Sequence, residues 1–223
     1  MGVASWVVLT GDDPRHAPPA AAGQCGWVSQ IAPLITEFSR PGDLVFDPFA
    51  GWGTSLVAAS VTGRRGVGLE ISPDRARQAA RRLEAYPGQV VICGDARRPP
   101  VPDRSVDFLV TDLPYFGTAL DTDSPVEGQL YALRDYSAYL TALDHAFHAL
   151  ARVLKRGAYA VVAVQNRRVA DRFVPLAWDV GRVLGGHLTL GDERIHLYPR
   201  PVTDGDPMVN NRAHEYLLVA RKR

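Results

Sequence analysis

The stretch that decides the fold is FDPFAGWGTS, residues 46–55, because it joins an apolar run to a helical pattern through two closely spaced glycines. The apolar run is Leu44 to Phe46, and the helical pattern begins at about Thr54. Gly51 and Gly53 let the backbone turn sharply and approach a ligand at a place where a Cβ atom would collide with it. The stretch therefore predicts a strand, a ligand-binding turn and a helix.

The glycine turn differs from two common nucleotide-binding patterns. It is not a GxGxxG sequence, and it lacks the lysine of a loop that binds nucleoside triphosphates. A dinucleotide or ATP is therefore a poor fit for this turn.

On either side of the turn, short apolar runs alternate with helical patterns. A short amphipathic helix over 28–38 precedes the first strand; further strands are expected at 66–69, 90–93, 106–110 and 158–164, and helices at 54–61, 73–83 and 136–154. Lys155, Arg156 and Gly157 are expected to close the last helix. Short, uniformly apolar strands separated by helices indicate a parallel sheet covered on both faces. The pattern predicts a doubly wound α/β architecture.

The alternation changes near the C-terminus. A helix over 174–184 is followed by a strand over 187–197, a polar loop over 199–211 and a strand over 216–220. Two strands joined by a loop without a helix indicate an antiparallel pair at one end of the sheet.

The bulk composition is that of a globular protein with one domain. The 223 residues are 46% hydrophobic, and 25 basic residues nearly balance 24 acidic ones, so strong nucleic-acid binding is not indicated by net charge. We expect a single domain over 1–223, with an irregular lead-in over 1–26 and no separate target-recognition domain.

Targeting and metal signals are absent from the sequence pattern. The apolar runs are shorter than the roughly 20 residues that a membrane helix needs, and the N-terminal residues do not resemble a secretion signal. Cys25 and Cys93 have no CxxC partner, which predicts neither a zinc site nor a disulfide. We expect a cytoplasmic protein without a metal.

Two acids follow the next strands of the predicted sheet. Glu70 ends the strand in GVGLEIS, where it can accept hydrogen bonds from a ribose diol, and Asp95 follows the strand in VICGDAR, where it can meet an adenine amino group. Ligands of doubly wound sheets bind at the carboxyl ends of the strands, so both acids belong to the same edge as the glycine turn.

These motifs resemble those of S-adenosylmethionine-dependent methyltransferases with a Rossmann-like fold. PGDLVFDPFAGWGTSLVAA, residues 41–59, is more narrowly similar to the amino-methyltransferases that modify exocyclic nitrogens of adenine or cytosine in DNA. The resemblance implies S-adenosylmethionine as cofactor and a helix over 27–38 beside its methionine part, with Trp52 as a departure from the usual small residue. The cofactor-binding residues that it implies are Asp47, Phe49, Gly51, Gly53, Thr54, Glu70 and Asp95.

The sequence DLPY at 112–115 stands where this family has its catalytic Asp/Asn/Ser-Pro-Pro-aromatic signature. The resemblance implies that the Asp112 carboxylate and the Leu113 carbonyl accept the two N–H bonds of the target amine. Pro114 fixes the turn, while Tyr115 and Phe116 are expected to stack on a flipped-out base. Leu113 replaces the usual proline, which predicts a less rigid turn.

The C-terminal NRAHEYLLVARK, residues 211–222, resembles the family's final strand beside the target pocket. It implies that His214 contacts the substrate without a catalytic role.

Three functions remain open from the sequence. The first, which we favour, is methylation of cytosine N4 or adenine N6 in DNA, by a homodimer or with a partner protein that supplies sequence specificity. The second is the same chemistry on RNA, such as guanine N2 of tRNA, or on a small molecule. The third is an inactive methyltransferase-fold subunit that binds nucleic acid.

Overall fold

The computed structural model describes residues 5–18, 26–117, 126–169, 172–198 and 214–223. The five α-helices of this part are α1 (Val28–Phe38), α2 (Thr54–Val61), α3 (Pro73–Leu83), α4 (Tyr136–Val153) and α5 (Leu176–Gly185). The strands are β1 (Trp6–Val8), β2 (Leu44–Asp47), β3 (Arg65–Glu70), β4 (Gln89–Cys93), β5 (Val106–Asp112), β6 (Leu154–Val164), β7 (Arg167–Val169), β8 (Arg172–Val174), β9 (Thr189–Leu197) and β10 (His214–Arg221).

Eight of the described strands form one sheet, in the order β4-β3-β2-β5-β6-β10-β9-β1. Strands β2 to β6 pair in parallel, and β10 pairs antiparallel with both β6 and β9. The predicted Rossmann-like sheet, mostly parallel with a C-terminal antiparallel pair, is confirmed. The order reverses between β2 and β5, which is where such sheets bind ligands beyond the carboxyl ends of their strands.

Two parts of the topology differ from the prediction. Within the lead-in that was expected to be irregular, Trp6–Val8 forms a strand that pairs in parallel with β9. Strands β7 and β8 form a separate antiparallel hairpin that was not predicted. Both involve strands of three residues, which are too short to show a periodic pattern in the sequence.

The ends of two elements also differ from the prediction. Strand β5 runs through Asp112, two residues further than expected, so Asp112 is the last residue of the strand. Helix α4 ends at Val153, because Leu154 adopts extended backbone angles, and the predicted helix-closing residues 155–157 belong instead to β6. The predicted loop at 199–211 lies outside the described residues.

The core is divided between the two faces of the sheet. On one face α4 and α5 pack side chains such as Leu143 and Leu176 against β5 and β6. On the other face α1 and α2 pack side chains such as Ile35 and Leu56 against Val45 of β2. This packing fixes the strand ends from which the site is built.

Candidate active site

The carboxyl ends of β2, β3 and β5 open into a cavity of about 840 Å³. This volume lies within the range of about 300–1,000 Å³ typical of small-molecule and cofactor sites. Most of the residues that the sequence assigned to cofactor or substrate line it: Asp47, Phe49, Gly51, Thr54, Glu70, Asp95, Asp112, Leu113, Pro114 and Tyr115. The strand ends thus bring the glycine turn, the two acids and the DLPY segment to one cavity.

Asp47 holds the glycine turn in place from below. Its buried carboxylate accepts hydrogen bonds from the Phe49 N–H at 3.0 Å, from Thr111 Oγ1 at 2.6 Å and from the Ser55 hydroxyl. Burial raises the pKa of Asp47 to about 6, against the lowering effect of these bonds. Gly51 follows with a positive φ of +52°, which a residue with a Cβ adopts only with strain. The Asp47 carboxylate therefore stabilises the backbone of the turn.

Two other glycines shape the turn through packing. Gly53, at φ +77°, precedes α2, and a Cβ on it would lie 3.4 Å from the Leu83 side chain. Gly53 itself does not line the cavity. A Cβ on Gly68 of β3 would lie only 2.6 Å from the Cβ of Ala50. Gly68 therefore lets the turn rest directly on the neighbouring strand.

Both acids that follow the strands face the cavity, and each has a local partner. Glu70 Oε1 accepts the Ser72 N–H at 2.8 Å and lies 3.9 Å from Arg75 Nη1. The Asp95 carboxylate accepts Nε and Nη2 of Arg97, with Arg97 Nη2 at 2.6 Å from Oδ2. Partial burial raises the pKa of Asp95, but the bonds from Arg97 outweigh it and leave this pKa below its ordinary value.

The DLPY segment is held by packing and by hydrogen bonds from its neighbours. The Leu113 N–H donates to the Ala163 carbonyl of β6 at 3.2 Å, and the Leu113 side chain is buried in the core. The Pro114 carbonyl accepts the Tyr139 hydroxyl of α4 at 3.1 Å. Asp112 Oδ1 is shielded from water and has no hydrogen-bond partner among the residues that the structure describes.

A buried glutamate that the sequence reasoning missed lies next to this segment. Glu215 of β10 is 2% exposed. Its Oε1 accepts the Tyr115 hydroxyl at 2.8 Å, and its Oε2 accepts the Tyr198 hydroxyl at 2.9 Å and the Gln30 amide. Tyr115 is held in place at its hydroxyl by this bond, and the guanidinium of Arg167 lies 5.3 Å from the centre of its ring.

The carboxyls in this cluster have perturbed pKa values. Shielding from water raises the pKa of Asp112 well above its ordinary value, and the charge of Glu215 raises it further. Burial also raises the pKa of Glu215, although its three hydrogen bonds oppose the shift. Burial and the two neighbouring acids raise the pKa of Tyr115, so its hydroxyl remains a hydrogen-bond donor near neutral pH.

Two predicted substrate contacts do not face the cavity. Phe116 is 8% exposed, and its ring packs against Tyr136 and Tyr139 at centroid distances of 5.1 and 5.6 Å. The Phe116 ring, predicted to stack on a base, does not line the cavity because α4 packs over it. His214 stands next to Tyr216 and does not line the cavity, since alternation along β10 turns Glu215 towards it instead.

The sequence contained one signal for the missed glutamate. In AHEYLLVA, residues 213–220, an acid stands at the start of an otherwise apolar strand. Period-two alternation places Glu215 on the same face as Leu217, which also lines the cavity. Gln30 and Tyr198 carry no comparable signal, because only the packing of α1 and β9 against β10 brings them to Glu215.

Among the described residues, no group of three or more His, Cys, Asp or Glu side chains is placed to hold a metal ion. Within those ranges no helix is both long and apolar enough to cross a membrane.

A family comparison matches the part of the chain that builds the cofactor side of the cavity. Residues 28–81 match the N6/N4 family described as DNA methylase. These residues comprise α1, the glycine turn, Glu70 and most of α3, and they end before the DLPY segment.

Curated relatives are similar over a comparable length. The putative methylase YubD of Escherichia coli (strain K12) is 43% identical over 58 residues, which are 26% of this chain and 26% of that protein. The DNA adenine methyltransferase YhdJ of the same organism is 41% identical over 51 residues, 23% of this chain and 17% of that protein. The chain thus spans about a quarter or less of these relatives in the matched regions.

Solved structures extend the similarity of fold to most of the chain. TrmN from Thermus thermophilus superposes with a TM-score of 0.62 and 16% identity, over 91% of this chain and 51% of that one. A TehB-like SAM-dependent methyltransferase from Corynebacterium glutamicum gives 0.58 and 17%, over 92% of each chain. The fold is that of SAM-dependent methyltransferases, and residues 28–81 are similar to the N6/N4 family described as DNA methylase.

Proposed function

We propose that this chain transfers a methyl group from S-adenosylmethionine to an exocyclic amino group of a nucleobase in DNA, cytosine N4 or adenine N6. One observation carries the proposal. The Asp112 oxygen without a partner among the described residues lines the same cavity as the glycine turn and Glu70. This observation supports a hydrogen-bond acceptor for an amine beside a binding site for the methyl donor.

The residues around the cavity fit this cofactor. Gly51 supplies a turn without a Cβ, Glu70 supplies a carboxylate for the ribose, and Asp95 retains acceptor capacity for an adenine amino group beyond its bonds to Arg97. Five acids and three arginines line the cavity, and this excess of acids favours a cationic ligand. When bound, S-adenosylmethionine supplies a methyl group on a positively charged sulfur; the amine lone pair forms the new N–C bond, the C–S electrons stay on sulfur, and one N–H proton leaves.

The amine requires two acceptors because its lone pair is delocalised into the aromatic ring. We assign these roles to the Asp112 carboxylate and the Leu113 carbonyl, which hold the N–H bonds and direct the nitrogen lone pair towards the methyl group. Catalysis is then due mainly to positioning and local electrostatics.

The sequence predicted a less rigid turn at Leu113, but the contacts of Leu113 and Pro114 support a rigid one. A proline at this position has no N–H, whereas the Leu113 N–H donates to Ala163 of β6 and its side chain is anchored in the core. The Tyr139 hydroxyl fixes the next carbonyl, that of Pro114. These contacts support a preorganised acceptor pair despite the departure from the family signature.

Tyr115 is the aromatic residue that we propose to stack on the base. Its hydroxyl is fixed by Glu215 and its side chain lines the cavity. A base in duplex DNA reaches this position only after it is flipped out of the helix. Phe116 is not part of this proposal, because its ring is buried.

The polymer, the partners and the location belong to the proposal as well. The family match covers residues 28–81 and ends before Asp112, so it supports DNA as the polymer but does not distinguish cytosine from adenine. We propose a cytoplasmic enzyme of one domain that acts as a homodimer or with a partner protein that gives sequence specificity.

The test is transfer of tritium from labelled S-adenosylmethionine into duplex DNA, single-stranded DNA and bulk tRNA, followed by digestion and identification of the product base by mass. Label in N4-methylcytosine or N6-methyladenine is expected. Label only in tRNA would replace DNA by RNA as the substrate, and no label in any pool despite cofactor binding would contradict the nucleic-acid assignment.

A matched pair of variants tests the residue assignment. Asp112→Ala is expected to abolish turnover while the dissociation constant of the cofactor stays within a few-fold. Asp103→Ala removes an exposed carboxylate that pairs with Arg152, away from the cavity, and should retain both properties. Normal turnover in Asp112→Ala would refute the acceptor role.

A further inference from the structure

The Tyr115 hydroxyl lies between two acids but has only one hydrogen. It donates that hydrogen to Glu215 Oε1 at 2.8 Å, and the Asp112 carboxyl interacts with the same side chain. A phenol that has already donated can only accept a second bond. While the hydroxyl donates to Glu215, a bond between Tyr115 and Asp112 requires that Asp112 is protonated and donates to the phenol oxygen.

The two carboxyls differ in how well their surroundings stabilise a negative charge. Glu215 accepts bonds from Tyr115, Tyr198 and Gln30. Asp112 Oδ1 accepts none within the described ranges. Hydrogen bonds to a carboxylate favour its charged form, so a proton held by the pair resides on Asp112 and the charge resides on Glu215.

The groups around the pair oppose a second negative charge. Asp47 adds its own negative charge from β2, and the hydroxyls of Tyr139 and Tyr198 are neutral because their pKa values are raised by burial. Arg167 is a cation beside the cluster, but its guanidinium stacks on the Tyr115 ring. Two like charges in a water-poor cluster repel strongly, and one of the two acids then keeps its proton.

We propose that Asp112 and Glu215 hold one proton between them in the ligand-free chain, release it when a sulfonium occupies the cavity, and take one back from the amine after methylation. This inference rests on the proposed function. With a shared proton, the pair of Asp112 and Glu215 carries one negative charge. A cationic ligand stabilises the second negative charge, which forms when the proton is released. Once the methyl group has left the sulfur, the ligand is neutral, and the proton lost by the amine returns the pair to one negative charge.

Glu215 acts in this scheme as a positioning residue. It holds Tyr115 and sets the protonation of Asp112, and Asp112 is the group that meets the amine. A carboxylate accepts hydrogen bonds at both oxygens, whereas a protonated carboxyl has one oxygen that donates. Release of the proton thus prepares Asp112 to accept an N–H when the methyl donor is present.

The experiment is calorimetry of ligand binding at about pH 7.5 in phosphate and in Tris, two buffers with different heats of ionisation. The dependence of the observed heat on the buffer gives the number of protons released. We expect release of about one proton per S-adenosylmethionine bound. Release should be close to zero for S-adenosylhomocysteine, whose thioether sulfur carries no charge. At this pH Asp47 is mostly ionised already, since its pKa is about 6.

Variants assign the proton to the pair. Asp112→Asn and Glu215→Gln each leave a single acid, so release on binding of S-adenosylmethionine should be lost, whereas Asp103→Asn should release as much as the wild type. The comparison of the two ligands needs only the wild-type chain, so it tests the proposal even if a variant fails to fold.

The outcomes separate this inference from the proposed function. Equal proton release with both ligands, or none with S-adenosylmethionine, would overturn the shared proton while methylation of DNA still supports the function. Loss of binding of both ligands would overturn the function and the shared proton together.

Discussion

Gly68→Ala is the substitution whose effect follows most directly from the geometry of the site. The added Cβ would lie 2.6 Å from the Cβ of Ala50, 3.0 Å from Leu56 Cδ1 and 3.6 Å from the Asp47 carbonyl oxygen. Carbon atoms in ordinary contact are about 3.5–4.0 Å apart, so the turn has to move by about 1 Å. Ala50 resists this shift because its N–H donates to the Leu69 carbonyl at 2.8 Å.

The size of the effect can be worked out from two opposing contributions. Overpacking by one methyl group costs about 1–3 kcal/mol, while replacing glycine by alanine in a strand recovers about 0.5–1 kcal/mol. A net loss of about 1–2 kcal/mol lowers the melting temperature of a domain of this size by about 2–8 °C. Displacement of the turn should also weaken cofactor binding by about tenfold or more, since about 1.4 kcal/mol corresponds to tenfold.

The assay is thermal unfolding together with calorimetry of cofactor binding. Gly94→Ala is the matched control, because a Cβ there meets only Leu69 Cδ2 at an ordinary 3.7 Å; its melting temperature should stay close to that of the wild type. A Gly68→Ala protein with unchanged stability and unchanged affinity would refute the argument that direct contact between the turn and β3 shapes the cofactor site.

Three further predictions concern single side chains. Glu70→Ala should weaken cofactor binding by about 1–3 kcal/mol, the cost of a lost charged hydrogen-bond partner; an unchanged dissociation constant would contradict the ribose assignment. Burial raises the pKa of Asp47 from its ordinary 3.8 to about 6. The free energy of unfolding is therefore expected to fall by up to about 3 kcal/mol as pH rises from below the pKa of the unfolded state through the pKa of the folded state. Denaturant unfolding should show this loss between about pH 4 and 7 in the wild type, and Asp47→Asn should flatten it; parallel profiles would argue against the shift. Tyr139→Phe removes the donor to the Pro114 carbonyl and should cost about 1 kcal/mol of stability with a fall in turnover, and equal turnover in stopped-time assays would mean that this anchor is dispensable.

The features of the cavity that the sequence predicted depend on neighbours in the sequence. The glycine spacing in 46–55 specifies a turn with positive φ at Gly51 and Gly53, and the following apolar residues specify a helix. Glu70 was predicted to face the cavity because it ends a short apolar strand, and parallel strands share one edge for their carboxyl ends. Such features need no knowledge of which distant residue lies opposite.

The sequence by itself therefore determined the doubly wound sheet, the edge that carries the cavity and the position of Asp112 close to the end of a strand. Only the tertiary structure decided which way individual side chains turn and what they meet. Glu215 bonds Tyr115 across 100 positions and Gln30 across 185, and Phe116 is buried because α4 packs over it. The physical reason is that a side chain's burial, partners and charge depend on the elements packed against it, and those contacts form between residues far apart in the chain.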